Sequence, residues 1–177
     1  MKAAATPTPV PWLETLRLEL REFATSDFED LYRLDSDPRV MKYINGGRAL
    51  SRADVRDTLA RVLRYYAHHH GLGVWRAADR DGGRFVGWFC LKYCPPTCDI
   101  EVGYRLVPEA WGRGYATEGA SALLSYGFGD LGLERIVGIT HAANVASQRV
   151  LLKCGLADEG WGRYYNRRVR VFAAERA

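Results

Sequence analysis

Apolar and polar positions along the chain predict first a strand and then a helix. In residues 15–23 (TLRLELREF), three leucines alternate with charged side chains, which is the period of a half-buried strand. Thr25-Ser26-Asp27 then supplies residue types that begin helices, and apolar residues at helical spacing follow it. Asp37-Pro38 ends this helical pattern, and Asn45-Gly46-Gly47 predicts a loop.

A longer helix is predicted from Ser51 to the region of Gly71, which closes it. Its apolar residues fall on one stripe at spacings of three and four, whereas most of its charged residues lie off that stripe. The stripe is formed by Val55, Leu59, Val62, Leu63 and Tyr66.

Three strands follow this helix as a meander. Residues 72–78 and 84–93 predict two strands, and the Asp81-Gly82-Gly83 segment between them is a strong hairpin signal. Pro95-Pro96 predicts a second turn, after which a third strand runs from about 99 to 107. Alternate residues of the third strand are expected on one side: Ile100, Val102, Tyr104 and Leu106.

The rest of the chain alternates helix and strand. A helix is predicted from Tyr115 to about Phe128, a strand over 135–140, and a second helix that Asn144 caps and Gly155 ends. Residues 161–173 are strand-like. The element order predicts an α/β (α+β) fold with a mixed, mostly antiparallel central sheet of about six to seven strands flanked by helices.

Length and composition fit one soluble domain. The chain has 177 residues, 47% hydrophobic and 26% charged, which is ordinary for a globular protein. We expect residues 1–12 to form a flexible tail and residues 13–177 a single domain. No stretch is long and apolar enough to span a bilayer, and residues 1–11 lack the apolar core of a signal peptide. These features predict a cytoplasmic protein with reduced thiols and no membrane partner.

Charge and cysteine spacing narrow the classes of ligand. The net charge of +4 suits an anionic small molecule but is too small to indicate a nucleic-acid-binding protein. Residues 163–170 contain an arginine cluster, but an edge strand is often charged for solubility, so we do not expect nucleic acid as a partner. Cys90, Cys94 and Cys98 do not match a zinc spacing, and His68-His69-His70 fits a solvated helix end, so no metal site is predicted.

The segment with the clearest chemistry is IEVGYRLVPEAWGRGYATE, residues 100–118. A strand runs into Gly112-Arg113-Gly114, and a helix opens at Tyr115-Ala116-Thr117. Glycines permit a tight turn with exposed N–H groups, and a helix start adds unpaired donors and partial positive charge. The segment therefore predicts an anion site, most naturally for phosphate or pyrophosphate. It matches neither the Walker pattern nor the dinucleotide pattern, since it lacks the required Lys and the third glycine.

Two motifs carry a resemblance to a known family. EVGYRLVPEAWGRGYATEG, followed after a strand by NVASQRVLLKCGL, resembles the GCN5-related N-acetyltransferase (GNAT) superfamily, in particular its ribosomal-protein N-terminal acetyltransferase (RimJ/RimL-type) branch. The resemblance extends from about Thr15 to Ala173. It implies a GNAT fold and acetyl-coenzyme A as co-substrate, with no metal. Trp111 stands where the family has Arg or Gln, and Leu152 and Leu156 replace its usual Glu and Phe.

The resemblance implies cofactor contacts position by position. Backbone amides of the glycine loop would grip the pyrophosphate, the strand end would pair with the pantetheine, and Asn144 would contact the cofactor. The expected cofactor-binding residues are Leu106, Val107, Gly112, Arg113, Gly114, Tyr115, Ala116, Thr117 and Asn144. Ser147 matches a Ser proposed to protonate the leaving thiolate.

Acyl transfer to an amine also requires a proton acceptor, because an ammonium has no lone pair. Glu101 is the candidate base, directly or through water, because it lies on the strand that leads into the loop. A strand-end N–H of Leu106 or Val107 would stabilise the developing oxyanion. Structural duties for Glu101 and Ser147 remain open. Glu118 is more simply explained as a residue that complements its helix start.

The predicted function is acetyl transfer from acetyl-coenzyme A to a primary amine, of either a protein N-terminus or a small molecule. We expect the acceptor cleft between the 45–48 loop, the helix after it and the C-terminal strands, with Tyr43, Trp88 and Tyr165 as lining residues. The alternative is a non-enzymatic acyl-coenzyme A sensor or partner-binding module on the same fold. A homodimer through the C-terminal strand is possible, and the acceptor is not identified by any motif.

Overall fold

The computed structural model describes residues 12–176 as eight strands and five α-helices. The strands are β1 (Leu13–Glu14), β2 (Leu18–Glu22), β3 (Gly73–Asp79), β4 (Phe85–Tyr93), β5 (Ile100–Leu106), β6 (Arg135–Thr140), β7 (Ala157–Tyr164) and β8 (Arg167–Glu175). The helices are α1 (Phe28–Asp35), α2 (Pro38–Asn45), α3 (Arg52–His68), α4 (Tyr115–Gly129) and α5 (Val145–Lys153). Of the predicted tail at 1–12, only Trp12 belongs to the described residues, and its ring stacks on Trp75 at 4.3 Å.

All eight strands form one sheet in the order β1-β2-β3-β4-β5-β6-β8-β7. Neighbouring strands are antiparallel except β5 and β6, which are parallel. The predicted mixed, mostly antiparallel α/β fold is therefore confirmed, with eight strands instead of six to seven. Two causes raise the count: the short β1 precedes β2, and the strand-like C-terminal segment is a hairpin of two strands.

The C-terminal hairpin turns at Tyr165-Asn166. Both residues have positive φ, 49° and 59°, a conformation that hairpin turns of two residues require and that favours Gly or Asn. Because Tyr165 is neither, the residue types at this position did not predict a turn.

Strand alternation divides the sheet into two faces. Lys92 pairs with Glu101 and Trp88 with Arg105, so these side chains share the face that α1 and α3 cover. On the opposite face, beneath α4 and α5, lie the side chains of Phe89, Leu91, Val102, Tyr104 and Ile136. The fully buried core includes Leu18, Leu20, Phe89, Leu91, Leu123, Ile136 and Phe172.

Strands β5 and β6 diverge soon after they pair. Their register joins Ile100 with Ile136 and Glu101 with Val137, and extends no further within residues 12–176. In the β4–β5 ladder, Val107 N–H donates to Val86 O at 3.0 Å, which makes Gly87 and Leu106 a pair without mutual hydrogen bonds. Alternation then directs the main-chain groups of Val102, Tyr104 and Leu106 away from β4 and into the gap beside β6.

Helix starts follow the sequence signals closely. Ser51 caps α3 in a capping box with Asp54, as the predicted start at Ser51 requires. Asn144 caps α5 by accepting a hydrogen bond from Ser147 N–H. Helix α2, which the sequence pattern did not assign, runs from Pro38 to Asn45 because Asp37 caps it and Gly46 ends it in the left-handed conformation. In residues 12–176, no helix has both the length and the apolar character needed to cross a membrane.

Candidate active site

The glycine loop before α4 presents a row of main-chain donors. Gly112 and Gly114 have φ of 70° and 81°, and Gly114 is the N-cap of the helix. The first helical hydrogen bond runs from Glu118 N–H to Gly114 O. The six N–H groups from Gly112 to Thr117 donate to no acceptor within residues 12–176. Such a row at a helix start attracts an anion.

Contacts from the segment between β1 and β2 fix this loop in place. Arg17 forms a 2.6 Å ion pair with Glu118 and donates to Arg113 O at 2.9 Å. Glu118 also accepts hydrogen bonds from Thr15 Oγ1 and Arg17 N–H. These bonds hold the pKa of Glu118 below its ordinary value, although burial opposes the shift. Glu118 is thus a structural residue that ties the loop to β2.

The donor row borders a groove of about 790 Å³ between α2, α4 and α5. Five basic side chains and no acidic one line this groove within the described residues. The basic residues are Arg39, Lys42, Arg105, Arg149 and Lys153. Two of them are already paired, Arg39 with Asp37 and Arg105 with Asp35. The other three form no ion pair within residues 12–176, so the electrostatic potential of the groove still favours a polyanionic ligand.

A second cavity, of about 600 Å³, opens on the α3 side of the sheet. This second cavity is lined by all three aromatic residues that were expected in the acceptor cleft: Tyr43, Trp88 and Tyr165. Helix α2 contributes Tyr43 and Ile44, immediately before the predicted loop at 45–48. Hereafter we call the first cavity the groove and the second the cleft.

The groove and the cleft meet where β5 and β6 diverge. Six residues line both cavities: Tyr43, Ile44, Tyr104, Arg105, Asn144 and Ser147. At this junction, the Tyr104 hydroxyl lies 3.0 Å from Ser147 Oγ and donates to Ser147 O at 3.2 Å. Burial raises the pKa of Tyr104, so the phenol keeps its proton at neutral pH. Tyr104 and Ser147 therefore present protonated hydroxyl groups, which can act as hydrogen-bond donors, at the junction.

Glu101 lies on the cleft side, on the face opposite Tyr104. Its Oε2 accepts a hydrogen bond from the Tyr165 hydroxyl at 2.6 Å and pairs with Lys92 Nζ at 3.1 Å. Lys92 also contacts the Tyr165 hydroxyl. The two residues predicted for proton transfer, Glu101 and Ser147, thus border the same gap from opposite faces of β5.

Burial and charge set the protonation of the groups around Glu101. Burial disfavours the Lys92 ammonium, but the negative charge of Glu101 and the hydrogen bond to it outweigh burial, and the pKa of Lys92 is raised. Burial is the main cause that raises the pKa of Tyr165, and the negative charge of Glu101 adds to it. At neutral pH, Lys92 is a cation and Tyr165 a neutral phenol, so both donate to the Glu101 carboxylate.

Of the two alternative main-chain donors considered at the strand end, one is already engaged. Val107 N–H is already bonded to Val86 O, so it is not available as an oxyanion donor. Leu106 N–H faces the gap beside β6, as the ladder alternation requires. Leu106 O accepts a hydrogen bond from Trp111 Nε1 at 2.9 Å. Trp111, which replaces the family's Arg or Gln, therefore braces the strand end.

The cysteines remain free thiols in the described residues. Burial raises the pKa of both Cys90 and Cys94 to about 12, which leaves them unreactive at neutral pH. Within residues 12–176 there is no group of three or more His, Cys, Asp or Glu side chains that could hold a metal ion. His69 packs against Tyr65 and Tyr93.

Sequence reasoning missed Lys92 and Arg105 and did not assign Tyr104 a role at the junction. The strand periodicity could have found them, because Lys92 and Arg105 fall on the same face as Glu101 once the β4–β5 register is known. That register depends on the turn at Pro95-Pro96, whose length the sequence leaves open.

Comparison with known proteins decides the family. A family model described as the acetyltransferase (GNAT) domain matches residues 17–157, which is most of the chain. The chain belongs to the GNAT acetyltransferase family. A curated relative of this GNAT chain, FsC-acetyl coenzyme A-N(2)-transacetylase of Aspergillus fumigatus, is 35% identical over 154 residues. The alignment covers 82% of this chain and 65% of that protein, so the chain spans just under two thirds of the relative's length.

Solved GNAT structures have the same fold. A GNAT-family acetyltransferase from Bacillus anthracis superimposes with a TM-score of 0.77 at 27% identity, covering 92% of this chain and 97% of that one. An acetyltransferase from Salmonella typhimurium that modifies the N-terminal serine of ribosomal protein L7/L12 superimposes with a TM-score of 0.76 at 16% identity, covering 91% and 96%. At that identity the second likeness is one of fold alone.

Proposed function

We propose that residues 13–177 form a single N-acetyltransferase domain that moves an acetyl group from acetyl-coenzyme A to a primary amine. The observation that carries this proposal is the row of N–H groups from Gly112 to Thr117, which have no acceptor within residues 12–176 and border a groove lined by basic side chains. Acetyl-coenzyme A is a polyanion with a diphosphate, and both features of the groove suit it. The relative named for an acetyl-coenzyme A transacetylase supports the choice of co-substrate.

The residues of the groove divide the binding of acetyl-coenzyme A among them. The amides of Gly112, Arg113, Gly114, Tyr115, Ala116 and Thr117 hold the diphosphate, and the Arg113 side chain adds charge. The Leu106 carbonyl, which can accept a second hydrogen bond besides the one from Trp111 Nε1, pairs with the pantetheine arm, and Val107 supports this strand end. The amide group of Asn144, which lines both cavities, contacts the arm where it enters the junction. When bound, acetyl-coenzyme A supplies an activated acetyl thioester.

On the cleft side, Glu101 receives the proton that the amine must lose. Its Oε2 is occupied by Tyr165 and Lys92, so the carboxylate collects the proton through its other oxygen or through water. The Lys92 ammonium holds the carboxylate in place.

On the opposite side of β5, a proton donor serves the departing thiolate. Ser147 Oγ and the Tyr104 hydroxyl lie 3.0 Å apart at the junction, and the raised pKa of Tyr104 keeps this pair protonated. Leu106 N–H supplies a donor toward the charge that develops on the carbonyl oxygen. An acid and a base on opposite faces of the gap allow direct attack without a covalent enzyme intermediate.

Thiol release from acetyl-coenzyme A, measured with a panel of primary amines, tests the proposal. Release that depends on the amine and rises as the amine deprotonates is the expected result. Binding of the cofactor without amine-dependent release would replace the proposal by the acyl-coenzyme A sensor, which the comparisons do not support.

A further inference from the structure

We propose that the acceptor carries a carboxylate beside its primary amine, and that Arg61 and Arg167 select this anionic group. The inference rests on the proposed transferase function and names the class of its acceptor. It follows from which charges in the cleft are already neutralised and which are not.

The inner charges of the cleft are paired with each other. Asp35, whose side chain is 1% exposed, forms a 2.5 Å ion pair with Arg105. Glu101 is paired with Lys92. These two pairs use both of the carboxylates that line the cleft within the described residues. No inner charge is therefore left to hold a second charged group of an acceptor.

Two further cations line the cleft without an acidic partner. Arg61 Nη2 donates to Thr58 Oγ1 at 2.9 Å, and Arg167 Nη1 donates to Ile44 O. Both acceptors are neutral, and within residues 12–176 neither guanidinium forms an ion pair. Four cations against two carboxylates leave the cleft lining with a net charge of +2, from 4 − 2. A polycationic acceptor is disfavoured there and an anionic one is favoured.

Arg61 and Arg167 line the same cleft as Glu101 and are connected to it through neighbouring residues. Arg61 precedes Tyr65 by four residues on α3, roughly 6 Å along the helix, and the Tyr65 hydroxyl accepts a hydrogen bond from Tyr93 N–H, next to Lys92. Arg167 follows Tyr165 by two residues, and Tyr165 donates to Glu101. An acceptor bound in this cleft with its amine near Glu101 can therefore direct a carboxylate toward these guanidinium groups.

The rest of the cleft wall suits an apolar body. Tyr43, Trp88 and Tyr165 line it together with Val62 and Ile44. Aromatic walls favour a flat or bulky apolar group between the amine and the solvent. The combined requirements describe a molecule such as a free aromatic amino acid, or an acidic N-terminal segment of a peptide.

Matched acceptors test the selection of the carboxylate. The measured quantity is kcat/KM for phenylalanine divided by kcat/KM for phenylalaninamide. We expect this ratio to be about five- to tenfold higher in the parent protein than in Arg61→Gln or Arg167→Gln. Comparing this ratio between proteins cancels the different amine pKa values of the two acceptors. The loss should fall on KM for the carboxylate acceptor alone, and the Arg→Lys variants should recover part of it.

Control variants and a peptide pair complete the design. Arg64→Gln and Arg168→Gln remove exposed arginines that do not line the cleft, and they should leave the ratio unchanged. A second pair of acceptors, the dipeptide amides Asp-Phe-NH₂ and Asn-Phe-NH₂, distinguishes the source of the carboxylate. Preference in the first pair indicates a free amino acid, and preference in the second an acidic peptide. Equal ratios for parent and variants in both pairs overturn the inference while leaving the transferase proposal intact.

Binding gives a readout that does not depend on turnover. With saturating coenzyme A present, N-acetylphenylalanine should bind the parent protein about five- to tenfold more tightly than its amide, and this preference should shrink at high salt. Equal affinity for the two ligands in the parent protein overturns the inference even if no amine in the panel is acetylated.

Discussion

At the scale of single residues, the two roles proposed for Glu101 make opposite demands on the charge of its carboxylate. Its carboxylate forms an ion pair with the half-buried Lys92 ammonium, and this contact requires a negative charge on Glu101. A proton acceptor must instead be able to take up a proton during the reaction. The hydrogen bond from Tyr165 keeps one oxygen fixed in either state. Measurements of activity across pH therefore distinguish the role of Glu101 as a base from its role in the ion pair better than measurements of stability do.

Replacing Glu101 with Gln tests its role as a base. We expect kcat to fall by about a hundredfold or more, with the largest deficit below the pKa of the amine, where proton removal limits the reaction. The cofactor should bind as before, because Glu101 lies on the cleft side. Glu109→Gln, which removes an exposed carboxylate that pairs with Arg33, serves as the control. A pH–rate profile for Glu101→Gln that overlies the parent profile would show that Glu101 is not the base.

The glycine loop offers a matched pair of variants at Gly112. A Cβ there meets no atom within 4 Å, so Gly112→Asp and Gly112→Asn carry the same backbone strain at a φ of 70° and differ only in charge. We expect the aspartate to abolish the rise in melting temperature that acetyl-coenzyme A produces, because its charge repels a phosphate. The asparagine variant should keep most of the rise. Equal responses from the two variants would argue against an anion at this loop.

The sequence identified the donor row but not the contacts around it. Gly112, Gly114 and Asn144 were predictable because a positive φ and a helix cap are local demands. Lys92 and Arg105 were not, since their roles depend on the long-range register of β4 with β5. The engagement of Val107 N–H by Val86 is a further consequence of that register.

At the scale of elements, a buried ion pair joins β2 to the start of α1. Arg21 makes two 2.7 Å hydrogen bonds with Asp27, and both side chains are under 10% exposed. Burial opposes the charge on Asp27, but hydrogen bonds from Arg21 and Ala24 N–H outweigh it and hold the pKa of Asp27 below its ordinary value. Folding therefore gains stability from the ionised form.

This pair predicts the sign of one pH dependence. Asp27→Asn should lower the free energy of unfolding by about 3–5 kcal/mol near neutral pH, since it leaves Arg21 buried and unpaired. Asp27 contributes its stability above its unfolded pKa of about 3.9 and loses it as the pH falls through the lower folded value. Denaturant unfolding should thus show the gap between parent and variant narrowing below pH 4. A gap that is constant with pH would contradict the assignment.

Elements with strong local signals were predictable, and those defined by a turn were not. Strand β6 has the predicted bounds of 135 and 140, and α3 starts at the Ser51 cap. The hairpin of β7 and β8 was missed because its turn uses Tyr165-Asn166 at positive φ and lacks a glycine. The divergence of β5 from β6 is not encoded in either strand alone, because it depends on what packs against both.

At the scale of the whole molecule, the proposed cofactor groove and the proposed acceptor cleft lie on opposite sides of the sheet and meet at one opening. The groove lies beside α4 and α5, the cleft lies beside α3, and six residues line both. This arrangement brings two ligands together from opposite sides while each face keeps its own charges. Saturation with acetyl-coenzyme A at 100 times its dissociation constant should stabilise the fold by about 2.7 kcal/mol.

Hydrogen exchange resolved at single amides tests the central claim most directly. Exchange is measured with and without saturating coenzyme A, and the amides from Gly112 to Thr117 are compared with those of the β7–β8 turn. We predict that the six amides, which have no acceptor within residues 12–176, exchange markedly more slowly with the cofactor, whereas the turn is unaffected. Coenzyme A that binds while these six amides exchange at their original rates would contradict the account.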